Sequence, residues 1–508
     1  MSEQEVWKWS AGEIVARVQA RDVTVKEVTS AFIERAQKVN PIVNAIVTST
    51  ADLAIADAEA ADHRLRQGYP SRPLEGVPFN VKDNIPVKGV RSTYASDVFK
   101  DLIPTEDAIS VERFRDAGAI LVGKSNTPEF ADDPYCNTTN ALFGQSRNPW
   151  DVNRTPGASS GGASAAIAAG ISALAIGSDW GGSIRGPAAF CGLVGFRPSP
   201  GLIPVYPDDT RSGFLGDLGV EHGHAPMART VPDVAIALQM LVGPDDRAPL
   251  SAPATNVDYA AAAKQPRQLR GRRIAFTTDY AGVAPVDPEI AASVRAAADV
   301  FRSLGCEVTE ATPNFNSLGE IIPGSRALGI ALRYFDYTQT KGKLSPRLRD
   351  QIEDSLKLDL ATVGRAEHKR AELWHQVRHF MEHFDFLLSP TWGVCPFRID
   401  VPFDSKIAGK EVPNYFDCIL FTYSMSILGL PAISVPSGLS KEGLPMGVQI
   451  AGHRFADADV IEAATAYELA RGPMPWPPSV FEQKVNPADP VFLNGPGVAQ
   501  SWRLVSVE

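Results

Sequence analysis

The densest chemical signal runs from Pro156 to Ser199, PGASSGGASAAIAAGISALAIGSDWGGSIRGPAAFCGLVGFRPS. Gly and Ser alone would suit a flexible linker. They do not account for the Ala-rich helical stretch, the apolar strand, or Asp179 and Arg185 bracketing Gly-Gly-Ser. Trp180-Gly181-Gly182-Ser183 offers successive backbone amides with little side-chain obstruction, a pattern that can turn several N–H groups toward one anion. A serine hydroxyl beside such a nest is what acyl transfer needs. The hydroxyl attacks a carbonyl and the amides hold the developing oxyanion. What is missing is a base. None of the eight histidines stands in an obvious motif. Lysine serves when burial or nearby charge keeps it neutral, and Lys82 closes the apolar run in Gly-Val-Pro-Phe-Asn-Val-Lys-Asp-Asn84. A lysine there is unusual, although any single lysine reads first as a solvated surface charge.

Two short patterns point elsewhere and are set aside. Gly118-Ala-Ile-Leu-Val-Gly-Lys-Ser125 fits the phosphate-loop spacing. That loop needs free amides curled around an anion, whereas Ala-Ile-Leu-Val favours a buried strand with its amides already paired, and the segment follows a helix. Gly157-Ala-Ser-Ser-Gly161 fits the nucleophile elbow of α/β-hydrolases. The elbow requires a strand directly before its serine, but Arg147–Pro156 is polar and broken by two prolines.

The elements that must position these groups can be read from patterning. Ser10 with Glu13 and Thr24 with Glu27 have capping-box spacing and open two helices. A third helix spans Ala51 to Gln67 and stops at Gly68. Beyond it, short apolar runs alternate with helical stretches. The runs are Gly76–Val81, Ala119–Val122, Ala173–Ile176, Arg273–Phe276, Phe386–Leu388, Ala432–Val435 and Gly447–Ile450. The helices are Ala108–Ala117, Ser160–Ala169, Val231–Leu241, Pro288–Leu304 and Ala458–Ala470. This alternation predicts an α/β fold with a buried, parallel or mixed sheet. The Pro/Asp-rich stretch Gly243–Pro266 is a weak point, and the chain from Pro473 reads as an irregular surface tail.

Composition narrows the classes. In 508 residues, 44% are hydrophobic and 21% charged, an ordinary globular balance. The net charge of −10, with no Lys/Arg run, argues against nucleic acid as a partner. Five cysteines without a CxxC argue against a disulfide framework or a zinc ribbon. No signal-like start and no membrane-length apolar stretch occur, so a cytoplasmic protein with no membrane partner is expected.

Taken together, these segments resemble the amidase signature family over nearly the whole chain. The resemblance is carried by the opening helices, Asn40-Pro-Ile-Val-Asn-Ala45, LEGVPFNVKDN, AGAILVGKSNTPEF, FGQSRNPWD, the Gly/Ser block, GLPAISVPSG and GLPMGVQIAG. It implies a single large α/β domain over 1–508, with a mixed central sheet flanked by helices on both faces. Its parts are N-terminal helices (1–70), a signature core (71–245), the rest of the sheet with the substrate-pocket region (246–472) and the tail (473–508). It implies a Ser–cisSer–Lys triad of Ser183, Ser159 and Lys82. The oxyanion hole would be the amides of Trp180, Gly181, Gly182 and Ser183, with Asp179 and Arg185 bracing the loop. No cofactor or metal is implied. The expected reaction is hydrolysis of the linear C–N bond of a small acyl or aryl amide through a Ser183 acyl-enzyme. The alternative is the amidase subunit of a tRNA-dependent amidotransferase. Those subunits usually carry Asp-Glu-Phe-Ala-Met-Gly where this chain has Pro128-Glu-Phe-Ala-Asp-Asp133, which favours a stand-alone enzyme acting on a small molecule. A homodimer is an assembly it allows.

Some residues stay open. His375, His379 and His383 repeat every four residues and would share a helix face, either as metal ligands or as ordinary polar surface. Tyr135 and Cys136 either shape the acyl pocket or simply pack. Cys191 reads as a small buried apolar side chain. Ala158 and Ser178 stand where the family usually has Gly and Thr, small changes that leave the site intact. Ser426 replaces a frequent Asn, and His224-Ala225 precedes Pro-Met-Ala-Arg where Gly is usual. Both bear on substrate choice more than on chemistry.

Overall fold

The computed structural model describes residues 5–133, 136–207, 223–254, 256–264, 266–399, 406–412 and 416–483. Its centre is an eleven-stranded mixed sheet. The strands are β1 (Ile46–Ser49), β2 (Pro78–Lys82), β3 (Ile120–Ser125), β4 (Leu174–Asp179), β5 (Val194–Arg197), β6 (Gly223–Ala228), β7 (Arg273–Phe276), β8 (Glu307–Glu310) and β9 (Phe386–Pro390). A separate two-stranded ribbon, β10 (Lys406–Ile407) and β11 (Lys410–Glu411), precedes the last two sheet strands, β12 (Ala432–Leu439) and β13 (Pro445–Gly452). The order across the sheet is β1-β3-β2-β4-β6-β5-β12-β13-β9-β7-β8.

The strand residues divide between two apolar cores by simple alternation. Ile274, Phe276, Phe386, Leu388, Ile433, Val435, Val448 and Ile450 enter one core. Their neighbours Ala275, Leu387, Ala432 and Ala451 enter another. Successive strand side chains point to opposite faces, so both faces are covered and the strands read as continuous apolar runs rather than alternating ones. This is the single-domain α/β architecture expected, a large mixed sheet packed with helices.

Two helix starts show how local chemistry is settled. Thr24 and Glu27 form the full reciprocal box. Ser10 accepts the Glu13 amide at 3.0 Å, but the Glu13 carboxylate is taken by Arg17 at 3.0 and 2.8 Å. That cap is therefore half of the predicted box. The phosphate-loop lookalike is strand β3. Its Lys124 is buried, with Nζ bonded to Ile85 O and, at 2.7 Å, to Ser92 Oγ.

The sheet aims chain ends at one place. β3, β2 and β4 are mutually parallel neighbours. The chain passes from β2 to β3 on one side and returns to β4 on the other. In open α/β sheets the crevice beyond the carboxyl ends of strands, where the winding reverses, is where ligands bind. Lys82 ends β2 and Asp179 ends β4 at that edge.

Candidate active site

Lys82 is fully buried. Its Nζ donates to Ser159 Oγ at 2.6 Å and Ser178 Oγ at 3.0 Å, and lies 3.5 Å from Ser178 O. Asn84 Nδ2 also reaches Ser178 Oγ, at 3.4 Å. The Ala158–Ser159 peptide is cis. Ser159 precedes the helix Gly161–Ala168, and the next residue joins the two serine-bearing loops, because Ser160 N donates to Ser183 O at 3.1 Å.

Ser183 lies on a loop shaped by Asp179 and by a glycine. Asp179 Oδ1 accepts the Gly182 amide at 2.8 Å, and Oδ2 accepts the Ile184 amide at 3.1 Å. Arg185 closes on the same carboxylate, Nε to Oδ2 at 3.1 Å and Nη2 to Oδ1 at 2.9 Å. Burial alone would push this carboxyl up; the Arg185 charge and hydrogen bonds, with Arg197 and the Ile184 amide, outweigh it and hold the group well below the ordinary carboxylate range. Gly182 has φ +118°, and a Cβ there would fall 2.1 Å from Thr422 Oγ1. Thr422 Oγ1 donates to Gly181 O at 2.8 Å, tying the loop to the helix Phe416–Ile427.

Of the four amides expected to form an oxyanion nest, that of Gly182 is committed to Asp179. Those of Gly181 and Ser183 donate to no described residue. Both residues line the same pocket as Ser159.

One pocket holds Ser159, Ser178, Trp180, Gly181, Gly182 and Ser183. Its free space is about 630 Å³ with open solvent at the mouth included. Cys136 also lines it; burial pushes its thiol well above the usual value, so it is a neutral wall group. Tyr135 lies outside the described residues. Cys191 is buried away from the pocket, as its apolar reading required.

Several expectations land elsewhere. Ser426 accepts Arg185 Nη2 at 2.6 Å, so it supports the Asp179–Arg185 brace and does not line the pocket. His224 is buried in β6, with Nδ1 2.9 Å from Ser110 Oγ, and is likewise absent from the lining. Neither side chain lines the pocket. His375 and His379 are exposed on the helix Leu360–Met381, and His383 lies past its end. Among the described residues no three His, Cys, Asp or Glu side chains converge in a metal-ligand set. Sequence reading missed Asp132, Arg326 and Arg333, which also line the pocket. The two arginines lie on the helix Leu318–Arg333, whose apolar pattern is interrupted by Pro323 and Gly324. Their spacing of seven residues was the available signal.

The Amidase family model matches residues 27–461. An acylamidase of Rhodococcus erythropolis is 36% identical over 94% of this chain and 98% of its own length. A subunit of the glutamyl-tRNA(Gln) amidotransferase of Moorella thermoacetica is 34% identical over 91% and 97%. The crystal structure of a bacterial aryl acylamidase of the amidase signature family superposes with a TM-score of 0.83 at 31% identity, covering 91% of this chain and 96% of that one. No helix among the described residues is long and apolar enough to cross a membrane. With the family model spanning most of its length, this chain belongs to the amidase signature family and is an amide hydrolase.

Proposed function

We propose that this enzyme hydrolyses the C–N bond of small acyl or aryl amides through an acyl-enzyme on Ser183, with Ser159 relaying protons to Lys82. The observation that carries the reading is the 2.6 Å contact between the sealed Lys82 amine and Ser159 Oγ, in the pocket that Ser183 also lines. A lysine closed off from water and held by hydroxyls acts as a base when neutral.

In this scheme Lys82 takes a proton from Ser159 as Ser159 takes one from Ser183, and Ser183 Oγ attacks the amide carbonyl. The amides of Gly181 and Ser183 receive the oxyanion, helped by the Trp180 amide; the Gly182 amide holds the loop to Asp179. The proton returns through Ser159 to the leaving nitrogen, the C–N bond breaks, and amine or ammonia departs. Water then attacks the ester with the same relay as base, releasing carboxylate and free Ser183. The acylamidase relatives support a small amide as substrate.

A fluorophosphonate probe tests the assignment. It is expected to modify Ser183 alone, and Ser183→Ala is expected to abolish labelling and turnover together. Label mapped to Ser159 would overturn it. A second reading, the amidase subunit of a tRNA-dependent amidotransferase, is supported by the Moorella relative. The purified chain hydrolysing simple amides without any partner separates the two in favour of the first.

A further inference from the structure

Arg326 and Arg333 stand two turns apart on one face of the helix Leu318–Arg333. Both are nearly sealed from solvent, at 6% and 5% exposure, and both line the pocket that holds Ser183. Their guanidinium carbons lie 4.8 and 4.7 Å from the ring centre of Trp180, the residue that begins the nucleophile loop. Gly329 makes room for that ring, since a Cβ there would fall 2.7 Å from Trp180 Cζ2. The two positive groups are therefore built onto the same loop as the nucleophile.

The two arginines are not equally matched. Arg326 Nη2 bonds Asp132 Oδ1, which also accepts Gln351 Nε2 at 2.9 Å. Arg333 approaches Asp132 only through Nη1 to Oδ2 at 3.7 Å, beyond hydrogen-bond range. Among the described residues that carboxylate oxygen accepts no hydrogen bond, and Arg333 Nε has no acceptor. No side-chain N–H of Arg333 is hydrogen-bonded to a described residue. A guanidinium presents five donors in a rigid fork, so Arg333 brings to the pocket a cation whose donors no described residue takes up.

Nearby acids do not fill the gap. Asp133, the other carboxylate of the pocket lining, pairs with Arg347 at 3.1 Å. Glu129 accepts Ser96 Oγ at 2.7 Å and the Ser345 amide at 3.0 Å, and it does not line the pocket. Asp132 thus serves two arginines; burial would raise its carboxyl, but Arg326 and Arg333 hold it below the usual range, so it stays ionised. Asp132 balances charge near Arg333 without accepting its hydrogen bonds, so the guanidinium donors are available to a ligand. An incoming group with two acceptor oxygens matches the fork, and a carboxylate does so bidentately.

We propose that Arg333, backed by Arg326, binds a free carboxylate carried by the substrate, so that the preferred amides are those bearing an anionic carboxylate on their acyl or amine portion. This rests on the amide-hydrolase reading above. Arg333 orients the substrate by this contact while Ser183 attacks the amide carbonyl.

The test uses matched pairs with the purified full chain. N-succinyl-4-nitroanilide against N-butyryl-4-nitroanilide places the carboxylate on the acyl side. N-acetyl-4-aminobenzoate against acetanilide places it on the amine side. For wild type, kcat/KM is expected to favour the carboxylated member by at least about tenfold in one of the two pairs, mainly through KM. Arg333→Met is expected to bring that ratio to about one, and Arg333→Lys to keep part of it. A wild-type ratio at or below one in both pairs overturns the proposal, whether or not the variants fold. So does a ratio that Arg333→Met, folded, leaves unchanged. Binding separates this proposal from the hydrolase reading. Calorimetric titration of Ser183→Ala with succinamate and with butyramide is expected to show preference for succinamate. That preference without turnover of any substrate in wild type upholds carboxylate recognition and removes the hydrolysis scheme. Turnover of both members alike, with no binding preference, does the reverse.

Discussion

Asp179 and Arg185 meet through two hydrogen bonds, of 3.1 and 2.9 Å, with neither side chain reaching solvent. The same carboxylate fixes the Gly182 amide one residue before Ser183. Asp179→Asn would leave Arg185 and Arg197 without their counter-charge. Removing one partner of a buried pair typically costs roughly 3–5 kcal/mol. A lower unfolding temperature and at least about a tenfold lower kcat are expected in the same preparation. The folded-state carboxyl titrates below the ordinary 3.8. Its stabilisation is therefore complete above that value and is lost as pH falls further, so it contributes nothing to activity changes near neutrality. An Asp179→Asn enzyme with wild-type melting and turnover would remove the bracing role.

Lys82 offers a sharper discrimination between charge and basicity. Under the proposed relay Lys82→Met removes the base, and a loss of about 10²–10⁴-fold in acylation rate is expected, the usual contribution of a positioned proton acceptor. Lys82→Arg keeps a cation but cannot supply a neutral amine, so it is expected to be as inactive as Lys82→Met. The check is a single-turnover measurement of acyl-enzyme formation. An active Lys82→Arg enzyme would mean that this position works as a fixed charge and not as a base.

The unequal legibility of the sequence has identifiable physical causes. Arg273–Phe276 and Val231–Leu241 form over the residues predicted. The first is a short apolar run between turns, and the second opens with a Thr230 cap and a proline in its first turn. β6 escaped because Gly223, His224 and Pro226 break any strand pattern, yet it fills the sheet between β4 and β5. β8 escaped because Glu307-Val-Thr-Glu310 is a polar edge strand. Lys82 and Ser159 lie 77 residues apart, and periodicity could not have joined them; only resemblance put them in one site. The arginine pair escaped for a related reason, since recognising its helix required seeing past Pro323. Contacts that depend on which loops meet above the sheet are tertiary facts, and local pattern does not carry them.

Glu468 gives a prediction for stability that leaves the pocket untouched. Its carboxylate accepts the Val231 amide at 3.2 and 3.1 Å, at the start of the helix Val231–Leu241. Burial raises its carboxyl from 4.5 to about 7, against the lowering effects of the Val231 amide and Arg471, while Asp233 adds to the rise. Between those two values the folded state keeps a proton that the unfolded state has released, so stability falls as pH rises through that window. Glu468→Gln keeps an acceptor for Val231 and cannot titrate. The variant is expected to melt higher than wild type at pH 8, on the order of 1–3 °C, and to match it near pH 4.5. Paired melting curves at the two pH values read this directly, and a gap that does not widen with pH would refute it.

The close approach at Gly182 yields the most local prediction. A Cβ at this position would lie 2.1 Å from Thr422 Oγ1 and 2.6 Å from Thr422 Cβ. The backbone sits at φ +118°, a region that L residues rarely adopt. Gly182→Ala must therefore move either the Ser183 loop or the helix Phe416–Ile427. Moving the loop displaces Ser183 and the Gly181 and Ser183 amides together. A displacement near 1 Å is enough for about 10²-fold in rate, and a loss of that size in kcat is expected from a protein that still folds, because the local strain is of order 1–3 kcal/mol. Thr422→Ala alone keeps the glycine and loses the hydroxyl's bonds to Gly181 O, Ile419 O and Trp392 Nε1, none of which involves the Ser183 side chain, so a loss below tenfold is expected. Combining the two changes removes the Oγ1 contact but leaves both the Cβ contact and the positive φ, so Thr422→Ala is expected not to rescue Gly182→Ala. Rescue in the double variant would show that the Thr422 hydroxyl alone, and not the backbone geometry of Gly182, sets the position of Ser183.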